Sequence, residues 1–111
     1  MEIAFLSRKM QKLCNSEKEM QAKLGDRAMK VLQLRLAQIM AVPTLEDLRK
    51  VPGTRCHELI ADRKGHLAID LVHPRRLILE PDHDPLPKKL DGGLDWQKVT
   101  RVVVLAIKDY H

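Results

Sequence analysis

The chain has 111 residues, room for one hydrophobic core, so residues 1–111 are expected to form a single domain. It is 44% hydrophobic and 32% charged, and no run approaches the roughly 18 apolar residues of a membrane-spanning helix. Its net charge of +5 is uneven, with eleven Lys/Arg against six Asp/Glu in residues 1–55 and nine of each in residues 56–111.

That surplus suits a phosphate backbone or an acidic partner, and equally a solvated helix surface. Phe5, Trp96 and Tyr110 are all the aromatics, which excludes a row of rings for stacking exposed bases. The start, "MEIAFLSRKM", has no long apolar run behind a basic head, so no signal peptide is expected. Cys14 and Cys56 lie far apart without a C-x-x-C, as in a reducing compartment. A soluble cytoplasmic protein is the expectation.

"EIAFL" at the start reads as a short strand. Residues 7–42 then read as helix, two of them, with the break near Asn15–Ser16 or Leu24–Gly25. Ser7 and Ser16 are candidate N-caps, the second with Glu19 three residues on. Ala28, Leu32, Leu36, Ile39 and Met40 recur on one side of the later helix, whereas Arg27, Lys30 and Arg35 fall elsewhere. Pro43 ends it, and Thr44 with Asp47 opens one more turn. The methionines read as core filler.

From Thr54 the period changes to two. "RCHELIA", "HLAIDLV" and "RRLILE" form an antiparallel meander, joined by "DRKG" and "HP" turns. "PDHDPLPKKLDGGLDW" is a surface excursion, and "VTRVVVLAI" is apolar on both faces, which places it inside the sheet. The fold class is therefore α+β, with N-terminal helices packed on one face of an antiparallel β-sheet.

Asp109, Tyr110 and His111 follow that stiff last strand directly. Cutting RNA without a metal needs a base for the 2′-hydroxyl, cations for the charge building on the phosphate, and an acid for the departing 5′-oxygen. Histidine suits either proton role, and arginine's planar fork suits the phosphate. His57 on the first meander strand, Arg63 and Lys64 in the turn after it, Arg75 and Arg76 on the third strand, and the tail residues supply these groups. Zinc is the rival chemistry, from Cys56, His57, His66, His73, His83 and the "DHD" at 82–84, but no close-paired ligand spacing exists. Cys56 is a poor nucleophile beside His57, because adjacent strand residues point to opposite faces. No metal and no cofactor are expected.

The stretch "RCHELIADRKGHLAID", then "RRLIL", then the terminal "DYH", resembles the RelE/HigB family of type II toxin-antitoxin toxins, most of all the HigB-like plasmid maintenance killer proteins. Specific resemblance covers about Arg55–Leu79 and Ile107–His111. It implies a ribosome-dependent endoribonuclease that cleaves messenger RNA, silenced by a HigA-like helix-turn-helix antitoxin that also carries the DNA contact. It also implies that His57 and His111 are the proton-transfer pair and that Arg76 holds the scissile phosphate. Asp109 would orient a histidine or the 2′-hydroxyl, Tyr110 a base or the phosphate, with Arg63, Lys64 and Arg75 as further phosphate ligands. Ile60 stands where related members often have a lysine, which leaves room for a non-catalytic member that keeps the fold and pairs with an antitoxin-like protein. A DNA-binding regulator ranks behind both, since the helices show no helix-turn-helix signature.

Overall fold

The computed structural model describes residues 1–60 and 65–109. Strand β1 (Glu2–Phe5) leads into four helices, α1 (Arg8–Asn15), α2 (Glu17–Leu24), α3 (Asp26–Ala41) and α4 (Leu45–Arg49). Strands β2 (His57–Glu58), β3 (Leu67–Asp70), β4 (Arg75–Pro81) and β5 (Arg101–Asp109) follow, with a short 3-10 turn at Trp96–Lys98 before the last.

The caps read from the sequence hold. Ser7 Oγ accepts from the Met10 amide, Ser16 Oγ from Glu19 and Thr44 Oγ1 from Asp47. Each satisfies an amide that a helix start leaves without an internal partner. The helical stretch is cut at both candidate breaks, giving three helices instead of two: Ser16 opens one and Gly25, at φ +84°, closes it.

The sheet runs β1-β5-β4-β3-β2. The meander β2–β3–β4 is antiparallel, as is β4–β5, and β5 lies inside the sheet as its two apolar faces require. The sheet is mixed, not purely antiparallel, because β1 pairs parallel to β5. The helices between β1 and the meander form the crossover that a parallel pairing needs. Side-chain alternation carries no information on strand direction, so the sequence was silent on this point.

Helices cover one sheet face. Leu32, Leu36 and Ile39 of α3 and Leu45 and Leu48 of α4 pack with Leu67, Ile69, Leu77, Leu79, Val102 and Val104 from the strands. Two expectations for α3 fail. Met40 is 62% exposed, and Arg35 is buried at 9% exposure. Arg35 lies in the stripe Ala28–Leu32–Arg35–Ile39, whose spacing of four, three and four residues points at the core. Its guanidinium survives there through three bonds. Nε donates to the Asp70 carbonyl (2.7 Å), Nη1 to Gln38 Oε1 (3.0 Å) and Nη2 to the Gly53 carbonyl (2.8 Å).

The excursion after β4 is also more than surface. Leu90 at its tip is fully exposed, but Trp96 at its base enters the core. Trp96 Nε1 donates to Glu58 Oε2 (3.2 Å), and Arg49 lies over the ring at 4.5 Å. The loop is thereby fastened to α4 and β2.

Replacing Arg35 by Met strands two carbonyls and is expected to cost about 2–4 kcal/mol. Gly53→Ala is expected to cost about 1 kcal/mol or more. Gly53 has φ +86°, and an added Cβ would stand 3.3 Å from Arg35 Nη2. Urea midpoints of both variants check this; unchanged midpoints would remove Arg35 from its structural role.

Candidate RNA-binding face

Paired residues on neighbouring strands share a face of the sheet, and successive residues alternate between faces. Leu67, Leu79 and Val104 pair across β3, β4 and β5 on the helix side, as do Ile69, Leu77 and Ile107. The opposite face therefore carries one row of His57, Ala68, Ile78 and Ala106. Beside it runs a second row of Asp70, Arg76 and Lys108, reached from β2's side by Arg55.

A β-bulge decides which β5 residues belong to these rows. Ile78 pairs with Ala106 but Leu79 pairs with Val104, so Leu105 is the extra residue. Before it Val102 and Val104 face the helices; after it Ile107 and Asp109 do. Lys108 is thereby turned to the face opposite the helices.

The polar contacts of this face centre on Asp70. Its carboxylate lies 3.6 Å from Arg55 Nη1 and 3.6 Å from Arg76 Nε. Its backbone is fixed separately: the amide donates to the Thr54 carbonyl (2.8 Å), and the carbonyl accepts from Arg35. Thr54 is itself buried, its hydroxyl donating to the Val51 and Leu48 carbonyls. Among the described residues, three cations stand against one carboxylate in this row, a surface that attracts phosphate.

His57 borders the row. Its Nδ1 lies 2.7 Å from the Arg55 carbonyl, and since a carbonyl oxygen only accepts, Nδ1 carries the proton. In the neutral ring the lone pair then sits on Nε2. Strands about 4.8 Å apart and a rise of about 3.3 Å per residue put the His57 and Arg76 Cα atoms about 12 Å apart. Two side chains of that reach can share one phosphodiester.

Of the residues singled out in the sequence, His57 and Arg76 therefore occupy the same face. Arg75 and Asp109 pair with each other on the helix side, Arg75 Nε lying 3.6 Å from Asp109 Oδ1 while its Nη1 donates to the Leu24 carbonyl (3.3 Å). Asp109 is thus not brought to His57. Arg63, Lys64, Tyr110 and His111 lie outside the described residues. Ile60 is 86% exposed. Sequence reasoning missed Arg55, Asp70 and Lys108. Asp70 could have been placed beside Arg76 from the register of "HLAIDLV" against "RRLILE", but Lys108 could not without the bulge.

Two of the rival ligands have other partners. His83 Nε2 accepts from the Thr100 amide (3.0 Å), and His66 Nε2 lies 3.7 Å from Glu80. Among the described residues no three His, Cys, Asp or Glu side chains gather as a metal site, and no helix is long and apolar enough to cross a membrane.

A helical layer on one face of a five-stranded mixed sheet, with β5 inside it, is an arrangement shared with a solved toxin structure. The YoeB/ParE toxin from Agrobacterium tumefaciens superposes with a TM-score of 0.56 over 100% of both chains, at 11% sequence identity. At that identity the likeness is one of fold. By sequence, the chain matches no protein-family model and no curated protein.

Both thiols are buried, and burial raises Cys14 to about 11 and Cys56 to about 12, the Arg49 charge offsetting part of the latter shift. Cys56 is thus no nucleophile near neutrality. The unfolded chain ionises these thiols from about pH 9.0. Their contribution to stability is full below that pH and declines as pH rises towards 11 and 12. Native protein at pH 8 is expected to alkylate far more slowly than urea-unfolded protein, as counted by mass spectrometry; equal rates would contradict the burial.

Proposed function

We propose that the chain is the toxin of a type II toxin-antitoxin system, acting as a ribosome-dependent messenger RNA endoribonuclease. The observation that carries the reading is the placement of His57, its Nε2 lone pair left available, with the Asp70-held Arg55 and Arg76 on the sheet face opposite the helices. The toxin fold supports it independently.

In this mechanism His57 and His111 are the proton-transfer pair. One takes the 2′-hydroxyl proton as that oxygen attacks phosphorus, and the other protonates the departing 5′-oxygen. Arg76, assisted by Arg55 and Lys108, receives the charge that builds on the non-bridging oxygens. The step needs no metal. Tyr110 positions the base or phosphate next to the cut, and Arg63 and Lys64 add phosphate contacts. Asp109 orients a histidine or the 2′-hydroxyl, and its clasp by Arg75, which is anchored on α2, pins the end of β5. The partners are the ribosome with its messenger RNA and a HigA-like helix-turn-helix antitoxin.

A second reading has observations of its own. An exposed Ile60 in place of a family lysine, together with Arg75 turned to the helices, removes two cations from the face. The chain would then be a catalytically weak or inactive binding protein that pairs with an antitoxin.

Expression without a partner is expected to arrest growth, with cuts in translated messages mapped by sequencing of 5′ ends. His57→Ala and Arg76→Ala are each expected to lower cleavage about 10²–10³-fold, and deletion of residues 109–111 to relieve the arrest. Ribosome association without any cuts would establish the second reading. Full toxicity after the deletion would defeat the proposed mechanism.

A further inference from the structure

We infer that Arg55 is the positioning residue of His57, setting the imidazole's tautomer with its own backbone carbonyl while its side chain flanks the phosphate position. The inference rests on the proposed role of His57.

Arg55 has φ +47°, and it is the one non-glycine with positive φ among the described residues. The left-handed conformation is disfavoured for an L-residue other than glycine, asparagine or aspartate, so its neighbours must impose it. They do. Thr54 before it is buried and tied to the Val51 and Leu48 carbonyls, and its own carbonyl accepts from Asp70. Cys56 after it is buried in the core.

In a regular strand a carbonyl points sideways toward the neighbouring strand and does not meet the side chain two residues on. The left-handed turn brings the Arg55 carbonyl to 2.7 Å from His57 Nδ1. That contact protonates Nδ1 and aims the Nε2 lone pair away from the backbone, as a base that takes a substrate proton requires. The same turn swings the guanidinium onto Asp70, 3.6 Å from the carboxylate that also holds Arg76. One residue thus orients the base by its main chain and lines the anion site by its side chain.

The two parts separate by substitution. Asn and Gly tolerate the left-handed conformation and lose the cation; Val is β-branched and resists it. Long-range ¹H–¹⁵N correlation reads the His57 tautomer without RNA, at a pH where the ring is neutral. The wild type, Arg55→Asn and Arg55→Gly are expected to show the proton on Nδ1, and Arg55→Val to move it to Nε2. A wild-type ring protonated on Nε2, or loss of the Nδ1 tautomer in Arg55→Asn, would overturn the inference whether or not Arg55→Val folds. So would a folded Arg55→Val that keeps the wild-type tautomer. In single-message cleavage assays Arg55→Asn is expected to lower kcat severalfold through loss of the cation alone, and Arg55→Val to lower it at least about tenfold further through loss of the tautomer as well. The expected tautomers without any cleavage would defeat the nuclease reading and leave the positioning of His57 standing.

Discussion

The three bonds of the buried Arg35 guanidinium hold the His57–Arg76 face in shape from the far side of the sheet. Arg35 reaches out of α3 to the Asp70 carbonyl at the end of β3 and to the Gly53 carbonyl in the turn after α4. Those two points bracket the corner from Gly53 to His57. With both fixed, Thr54 is held against Asp70, Arg55 is forced into its left-handed turn, and the Asp70 side chain projects between two arginines. A buried cation is a costly way to join a helix to a sheet. Its directionality is what an apolar contact lacks, since hydrogen bonds fix where each carbonyl sits and leucines do not.

The remaining anchors work in the same sense. Trp96, bonded to Glu58 and capped by Arg49, holds β2 from outside the meander. Arg75, bonded to the Leu24 carbonyl and facing Asp109, holds the last residues of β5 against the α2–α3 junction. The two-residue β2 would be a weak edge alone. Here it is fastened at Thr54, at Glu58 and by the bond from the Leu59 amide to the His66 carbonyl. A short strand fixed at several points can carry a histidine whose orientation matters.

Much of the fold was legible because it follows from local rules. Serine and threonine caps, the alternation of Leu67, Ile69 and Leu71, and the doubly apolar β5 each state their own structure. What stayed hidden is non-local. Parallel pairing of β1 with β5 joins segments nearly a whole chain apart, and the bulge at Leu105 depends on its partner strand. The site suffered accordingly. His57 and Arg76 could be placed from alternation alone, whereas the facing of Lys108 and Asp109 turns on the bulge. The strand predicted over "RCHELIA" begins only at His57 because Arg55 leaves the extended conformation, and nothing in its residue type announces that. Arg35 was misread for a simpler reason: a charge was assumed to face water, against the spacing that put it in the core.

The account stands or falls on which face meets RNA, because the basic helices α1–α3 offer an alternative surface. Amide chemical-shift mapping with a short, non-cleavable 2′-O-methyl RNA decides it directly. Perturbations concentrated at Arg55, His57, Asp70, Arg76 and Lys108, with those on α1 and α2 small, are the predicted result. Shifts confined to the helices, with the sheet residues silent, would contradict the site described here.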